Sequence, residues 1–233
     1  MNEKIAVYCG TRNLYDRMIP AVKSLLANSD VLRVYLLIED DDFPHWLPDG
    51  VVTMNVGSQQ YFVPSGPNYN SKFTYMSMIR LALTKLLPQH DLVLYLDVDT
   101  IVRRNISELW RINMLGYYFA GVTDVYQPLR GWPYINAGVM LMHLKELRED
   151  GMDDKLIRAV NTEKYRYGEQ DAINALCRGR IMTLDGAYNA SRCTTMAVSP
   201  KITHFAACQD WTNDPVYRYY AAMTWEDVLE GCK

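Results

Sequence analysis

An apolar run that ends in two aspartates is the feature that most constrains the fold of this 233-residue chain. The run is Leu92-Val93-Leu94-Tyr95-Leu96, and Asp97-Val98-Asp99 follows it directly. An apolar stretch this short is typical of a strand that is buried on both faces, as in sheets covered by helices. Ligands of open α/β sheets bind beyond the carboxyl ends of the strands. We therefore expect an acidic site at the end of a central strand.

The spacing of the two aspartates suits a divalent cation. Side chains at positions i and i+2 of a strand point to the same face, so the carboxylates of Asp97 and Asp99 are expected to lie together. Two hard oxygen ligands at such a place suit a divalent metal that holds phosphate. The alternative is that the two aspartates cap a following turn or helix.

The first half of the chain alternates strand-like and helix-like segments. Strands are predicted at 5–9, 32–38 and 51–56, and helices at 15–26 and 72–87, the second of which is stopped by Pro88. This order predicts a parallel sheet with right-handed crossovers. In the less regular second half, strands are predicted at 116–122, 138–143 and 202–205, and helices at 153–161, 170–178 and 225–231. Because no linker or repeat separates these segments, we expect one domain.

Composition excludes several classes of protein. A formal net charge of -3 and a pI near 5.8 argue against a nucleic-acid partner. No apolar stretch approaches the roughly 18 residues of a membrane span, and the start of the chain has no signal-peptide pattern. The five cysteines are scattered and form no C-x-x-C pair, which argues against a disulfide framework or a zinc site. A cytoplasmic protein is therefore expected.

Three weaker motifs follow the aspartate pair. Asn136-Ala137-Gly138 precedes an apolar segment, and alone it is compatible with a plain turn. Gly168-Glu169-Gln170-Asp171 is compatible with a helix start, where the helix dipole favours acids. His204 follows a short strand-like segment, where a hydrogen-bonded histidine without a further role would also fit.

In their order along the chain, these motifs resemble the family 8 glycosyltransferases, which include glycogenin and bacterial lipooligosaccharide galactosyltransferases. The resemblance extends from about residue 4 to residue 211. It implies a GT-A nucleotide-diphospho-sugar transferase fold, a single catalytic domain over 1–233 with a mainly parallel central sheet flanked by helices. A nucleotide-binding half over about 1–105 and a sugar and acceptor half over about 106–233 are expected.

The resemblance also implies an activity and its site residues. The activity is retaining transfer of a hexose from UDP-glucose or UDP-galactose to a hydroxyl group of a glycan or other acceptor. The metal ligands would be Asp97, Asp99 and His204, and this mixed oxygen and nitrogen set favours Mn²⁺ over Mg²⁺. The resemblance assigns the nucleotide sugar to Cys9, Gly10, Thr11, Tyr15, Arg80, Asp97, Val98, Asp99, Asn136 and Ala137. Catalytic positions beside the sugar fall on Asp124, Glu169 and Gln170.

The chain departs from the family pattern at two places. The family follows its metal histidine with H-x-x-G-x-x-K-P-W, whereas this chain has Ala207 for the glycine and lacks the lysine that would contact the diphosphate. Glu169 stands where the family more often has aspartate. Gln170 is a poor nucleophile, so a front-face substitution is expected rather than a covalent intermediate on its side chain.

Two other functions are compatible with parts of the sequence. Asp97 and Asp99 could be the nucleophile and general acid of a haloacid-dehalogenase-like phosphatase. That class carries the motif on its first strand, whereas about 95 residues with their own strands come first here. The missing lysine motivates a second alternative, an inactive UDP-sugar-binding protein.

The acceptor contacts are expected on the loops 60–70 and 126–134.

Overall fold

The computed structural model describes residues 3–70, 73–125, 131–194 and 197–231. The strands are β1 (Ile5–Cys9), β2 (Arg33–Ile38), β3 (Val51–Asn55), β4 (Leu92–Leu96), β5 (Thr100–Val102), β6 (Phe119–Thr123), β7 (Ile135–His143), β8 (Ile181–Leu184) and β9 (Ile202–His204). The helices are α1 (Tyr15–Ala27), α2 (Tyr75–Met78), α3 (Leu83–Leu86), α4 (Leu144–Glu149), α5 (Met152–Thr162), α6 (Gly168–Leu176), α7 (Pro215–Ala222) and α8 (Trp225–Gly231). No helix in these ranges has both the length and the apolar character needed to cross a membrane.

Seven strands form the central sheet in the order β3-β2-β1-β4-β7-β6-β8. The first four strands of this order are parallel, as the alternating sequence predicts. Strand β7 runs antiparallel to both β4 and β6, and β8 is parallel to β6. The prediction of a mainly parallel α/β sheet is confirmed. Strand β4, which precedes the aspartate pair, lies at the centre between β1 and β7.

Apolar side chains cover both faces of the sheet. From β1, Ile5 and Val7 belong to one core cluster, together with residues of α2, α3 and α5. Ala6 and Tyr8 of the same strand belong to the opposite cluster, which includes Met18 of α1. Burial of both faces explains why β1 and β4 are continuous apolar runs rather than alternating ones. The burial of both faces also fixes the position of the strand ends, where the polar residues lie.

A second, two-stranded sheet lies beyond the end of β4. Strand β5 pairs antiparallel with β9, and Thr100 lies opposite His204. Because β5 begins directly after Asp97-Val98-Asp99, this pairing brings His204 beside the two aspartates. A contact between residues about 100 positions apart thus completes the candidate site.

Several predicted boundaries are wrong. The helix predicted over 72–87 is divided into α2, a 3-10 turn over Ile79–Ala82, and α3, and residue 72 lies outside the described residues. The strand predicted to begin at residue 116 begins at Phe119, because Gly116 takes a positive φ of 81° in a turn. The strand predicted to begin at residue 138 begins at Ile135. The sequence reading also missed β5, β8, α4 and α7.

Candidate active site

Backbone hydrogen bonds hold the predicted metal ligands together. The Asp97 amide donates to the Gly138 carbonyl at 2.7 Å, which joins the end of β4 to β7. The Phe205 amide donates to the Asp99 carbonyl at 2.9 Å, which joins the same segment to the end of β9. As a result, one potential ligand atom from each of Asp97, Asp99 and His204 lies within 4.8 Å of the others. Backbone hydrogen bonds therefore help to set the positions of these three side chains.

The two aspartates lie in a turn rather than on a strand. Strand β4 ends at Leu96 and β5 begins at Thr100, so the turn places both carboxylates beside His204. The alternation of side chains along a strand therefore does not explain their convergence. A strand, β5, and not a helix follows the two aspartates, so the helix-capping alternative does not apply. His204 Nε2 lies 3.3 Å from Asp99 Oδ1 and 3.8 Å from Asp97 Oδ2.

The imidazole and the carboxylates perturb one another. Burial by itself lowers the pKa of His204, but the Asp99 carboxylate acts more strongly together with Asp97, and the net shift is upward. Burial raises the pKa of Asp99, but His204 reverses this effect and the net shift is downward. The carboxylates thus create a strongly negative environment at His204 Nε2. Such an environment attracts a proton or a cation.

Arg80 is a buried cation that joins this group to Glu169. Its Nη2 atom lies 2.9 Å from Asp97 Oδ1 and 3.4 Å from Glu169 Oε1. Its Nη1 donates to the Ala137 carbonyl, and its guanidinium lies 4.2 Å from the centroid of the Tyr95 ring. These contacts leave Arg80 little freedom to move. The positive charge predicted to face the donor therefore lies beside the predicted metal ligand Asp97.

The Glu169 carboxylate is held inside the site. It accepts a hydrogen bond from the Ser77 hydroxyl at 3.0 Å and is only 5% exposed. Burial raises the pKa of Glu169 above its ordinary value, although Arg80 opposes the shift. The extra methylene that Glu169 has over aspartate is used to reach Arg80 and Ser77.

Gln170 is hydrogen-bonded to the start of β7. Its Oε1 accepts hydrogen bonds from the Ala137 amide at 2.9 Å and from Asn136 Nδ2 at 3.3 Å. Its Nε2 donates to the Tyr134 hydroxyl, which donates in turn to Asp171 Oδ1 at 2.6 Å. The predicted residues Asn136, Ala137 and Gln170 therefore form one hydrogen-bonded unit.

The opening loop contacts the site by packing. A Cβ atom on Gly10 would lie 3.2 Å from Val98 Cγ2, so this backbone rests against the aspartate turn. The Cys9 thiol donates to the Met76 carbonyl at 3.1 Å, and Thr11 is partly exposed. The Tyr15 hydroxyl donates to Asp40 and accepts from the Glu39 amide. Tyr15 therefore links the opening loop to the segment that follows β2, through Glu39 and Asp40.

Asp124 is the third residue that was predicted to lie beside the sugar. It follows β6, it is buried, and its amide donates to the Tyr134 carbonyl at 2.9 Å. This bond places it next to the segment that leads into Asn136. Of the predicted acceptor loops, 60–70 is fully described, whereas residues 126–130 of the other lie outside the described residues.

Two site residues escaped the sequence analysis. Asn189 is fully buried, and its Oδ1 lies 2.8 Å from His204 Nδ1. Ser77 holds Glu169 as described above. Neither residue carries a local signal, because asparagine and serine are common in turns and at helix starts without any further role.

Ala207, which stands in place of the glycine of the family pattern, has a backbone conformation that favours glycine. Ala207 takes a positive φ of 59°, the conformation in which glycine is favoured. Phe205 stacks on the buried Trp211 ring at 5.8 Å between centroids. Gln209 and Asp210, which stand near the place of the missing lysine, are exposed.

Comparison with known proteins identifies the family. Residues 7–205 match the model of Glycosyl transferase family 8. The chain belongs to this family and is a glycosyltransferase. Two Streptococcus pneumoniae relatives are glycosyltransferase GlyA, 26% identical over 80% of this chain, and glycosyltransferase GlyE, 28% identical over 81%. The chain spans only 28% and 48% of the lengths of these two relatives. The phosphatase alternative is therefore wrong.

Solved structures agree on the fold. The galactosyltransferase LgtC, solved with donor and acceptor sugar analogues, superposes with a TM-score of 0.73 at 18% identity and covers 97% of this chain. The match includes 99% of the LgtC chain. GlyE superposes with a TM-score of 0.74 at 20% identity, over 99% of this chain and 63% of its own. This likeness establishes the GT-A fold.

Proposed function

We propose that this glycosyltransferase is a metal-dependent, retaining hexosyltransferase that moves glucose or galactose from a UDP-sugar to a hydroxyl-bearing acceptor, such as a glycan. The observation that carries the proposal is the convergence of Asp97, Asp99 and His204 within 4.8 Å. This group lies at the carboxyl end of a central strand, where ligands of α/β sheets bind.

The side chains present fit a divalent metal. Two carboxylates and one imidazole suit Mn²⁺, whereas Mg²⁺ prefers an all-oxygen shell. Gly138 leaves room beside them, since a Cβ at that position would lie 2.7 Å from Asp97 Oδ2 and 2.1 Å from His204 Cε1. When bound there, the metal would act as a Lewis acid that neutralises the charge on the leaving diphosphate.

Arg80 supplies fixed positive charge from the protein itself. Its guanidinium is buried and bound to Asp97 and Glu169, so it needs no reorganisation as charge develops. A preorganised cation of this kind stabilises charge that appears in the transition state. It would also hold the nucleotide diphosphate in place.

The hydrogen bonds around Gln170 and Asp171 favour substitution without a covalent intermediate. Both are held by neighbouring groups: Gln170 Oε1 accepts two hydrogen bonds, and Asp171 accepts from the Tyr134 hydroxyl and the Tyr167 amide. In the proposed step, the acceptor oxygen bonds to the anomeric carbon on the face from which the phosphate oxygen departs. That phosphate oxygen takes the hydroxyl proton. A trapped glycosyl-enzyme on Glu169 or Asp171 would contradict this step.

The missing lysine motivates a second function, an inactive UDP-sugar binder. Asp210 and Gln209 replace neither the charge nor the reach of a lysine toward a diphosphate. Such a protein would bind UDP with Mn²⁺ and neither transfer nor hydrolyse the sugar. Only an activity assay separates the two functions.

The test begins with calorimetric titration of UDP in Mn²⁺ and then in EDTA. UDP release is next assayed across a panel of UDP-sugars, with Asp99→Asn as the matched control. Metal-dependent binding and release from UDP-glucose or UDP-galactose, both lost in Asp99→Asn, would support the proposal. Binding without release, even with candidate acceptors present, would favour the inactive binder. Equal transfer in metal-free buffer would contradict the metal site.

A further inference from the structure

We propose that Asn189 is a positioning residue that fixes the tautomer of His204, so that the lone pair of Nε2 faces the carboxylates. This inference rests on the metal site of the proposed function. Asn189 lies at the end of a 3-10 turn over Gly186–Asn189, and its side chain is fully buried. It touches His204 on one side and Asn136 on the other.

The backbone fixes the positions of both partners. The Ala190 amide donates to the Ile202 carbonyl at 2.9 Å, and the His204 amide donates to the Ala190 carbonyl at 3.0 Å. The residue after Asn189 is therefore paired with the strand that carries His204. The side-chain contact between Asn189 Oδ1 and His204 Nδ1, at 2.8 Å, is thus held at both ends.

The direction of this hydrogen bond follows from a backbone amide on β7. The Gly138 amide can only donate, and it donates to Asn136 Oδ1 at 3.0 Å. The Asn189 atom that lies 3.0 Å from the same oxygen must then be the donor, Nδ2. The other Asn189 atom, Oδ1, is an acceptor, so His204 Nδ1 must carry the hydrogen. In the neutral ring, Nε2 is consequently free to accept a metal.

Without Asn189 the carboxylates would favour the opposite tautomer. His204 Nε2 lies 3.3 Å from Asp99 Oδ1, and a hydrogen on Nε2 would make a charge-assisted hydrogen bond to that oxygen. The ring would then present no lone pair to the metal. Residues that bind the remote nitrogen of a metal-ligating histidine typically change metal affinity by 10- to 100-fold.

Asn189 also links His204, a proposed metal ligand, to Gln170, which is predicted to lie beside the sugar. Asn136, which accepts its Nδ2 hydrogen, donates to Gln170 Oε1 at 3.3 Å. A single chain of hydrogen bonds therefore runs from His204 through Asn189 and Asn136 to Gln170. The loss of Asn189 should disturb both metal binding and the position of the sugar-facing amide.

Two substitutions separate positioning from mere filling of the core. Asn189→Asp keeps an oxygen acceptor for His204 Nδ1, whereas Asn189→Leu has a similar volume and no acceptor. As a matched control, Asn68→Leu also removes a buried asparagine that binds backbone groups, those of Val160, Glu163 and Tyr165. If the role of Asn189 were only structural, the buried carboxylate of Asn189→Asp would be the more damaging change.

The measurements are Mn²⁺ affinity with saturating UDP and ¹⁵N NMR of the four histidines at a pH where their rings are neutral. Asn189→Leu should bind Mn²⁺ about 10- to 100-fold more weakly, while Asn189→Asp and Asn68→Leu stay within about tenfold of wild type. The His204 ring should carry its hydrogen on Nδ1 in the wild type and in Asn189→Asp. In Asn189→Leu it should shift toward Nε2.

Three results would overturn the inference. They are a hydrogen on Nε2 of His204 in the metal-free wild type, wild-type Mn²⁺ affinity in Asn189→Leu, and equal losses in the Asp and Leu variants. Should Asn189→Leu not fold, Asn189→Ala, which also has no acceptor, replaces it, with the same expected loss. Failure of the wild type to bind Mn²⁺ would instead refute the proposed function, and the NMR measurement on the metal-free protein would still decide the tautomer.

Discussion

The substitution Gly138→Ala tests the metal site with the smallest possible change. A Cβ at this position would lie 2.1 Å from His204 Cε1, 2.7 Å from Asp97 Oδ2 and 2.8 Å from His204 Nδ1. The backbone has little freedom to move away, because the Gly138 amide is bound to Asn136 and its carbonyl to the Asp97 amide. The imidazole must therefore retreat by about 1.3 Å to reach ordinary contact at 3.4 Å.

A displacement of this size should disable the site more than the fold. Misplacing a reacting or coordinating group by about 1 Å costs on the order of 10²-fold in rate, which is about 2.7 kcal/mol of barrier. Overpacking by one methyl group costs about 1–3 kcal/mol of folding free energy. We expect Gly138→Ala to fold, to melt several degrees lower, and to lose at least about tenfold in Mn²⁺ affinity.

The matched control is Gly121→Ala on the neighbouring strand β6. There a Cβ would lie 2.8 Å from Ile135 Cδ1, 3.3 Å from Ile135 Cβ and 3.4 Å from the Val139 carbonyl oxygen, so it crowds the apolar core and none of the predicted metal ligands. The control should lose some stability and keep its Mn²⁺ affinity and activity. Calorimetric titration of Mn²⁺ with UDP and steady-state UDP release measure both variants. Wild-type metal affinity and activity in a folded Gly138→Ala would refute the reasoning.

Three further predictions follow from individual side chains. Asp99→Asn should abolish metal-dependent transfer while leaving the circular dichroism spectrum and the melting temperature nearly unchanged, and wild-type activity would contradict the ligand assignment. Ala207→Gly should stabilise the fold by about 0.5–1 kcal/mol, measured by urea unfolding, because Ala207 takes a positive φ of 59°. Burial raises the pKa of Asp153, but Thr84 and Lys85 outweigh this effect and the net shift is downward. Its stabilisation is therefore complete above the unfolded-state pKa and lost as pH falls through the lower folded-state value. Asp153→Asn should cost about 2 kcal/mol at pH 7, and the difference from wild type should shrink below about pH 4; a pH-independent difference would contradict this.

The sequence predicted the parts of the fold that depend on local pattern. Strands β1 and β4 are continuous apolar runs because both of their faces are buried, and the aspartate pair is recognisable because it follows such a run. Strand β8 lies at the sheet edge and is only partly buried, so it leaves no apolar run to detect. Strand β5 has three residues, too few for a periodic signal.

The site itself depends on contacts that no local pattern contains. The pairing of Thr100 with His204 joins distant segments, and only the resemblance to family 8 linked His204 to the aspartates beforehand. Gly138 was noticed as part of a motif, but its steric role arises from the imidazole that β9 places against it. Asn189 acts through the direction of its hydrogen bonds, which requires the position of Asn136 and of the Gly138 amide.

The charges of the site argue for a divalent cation independently of the resemblance. Arg80, Asp97, Asp99, Glu169 and His204 contact one another, and with a neutral imidazole the three carboxylates exceed the single guanidinium by two negative charges. A partly buried excess of this kind is unfavourable unless a cation compensates it. Against the effect of burial, the carboxylates of Asp99 and Asp97 raise the pKa of His204, whereas burial itself raises the pKa of Glu169. One divalent ion supplies the two missing positive charges. Binding of the proposed metal should displace the proton that the carboxylates favour on His204, so metal binding should release protons.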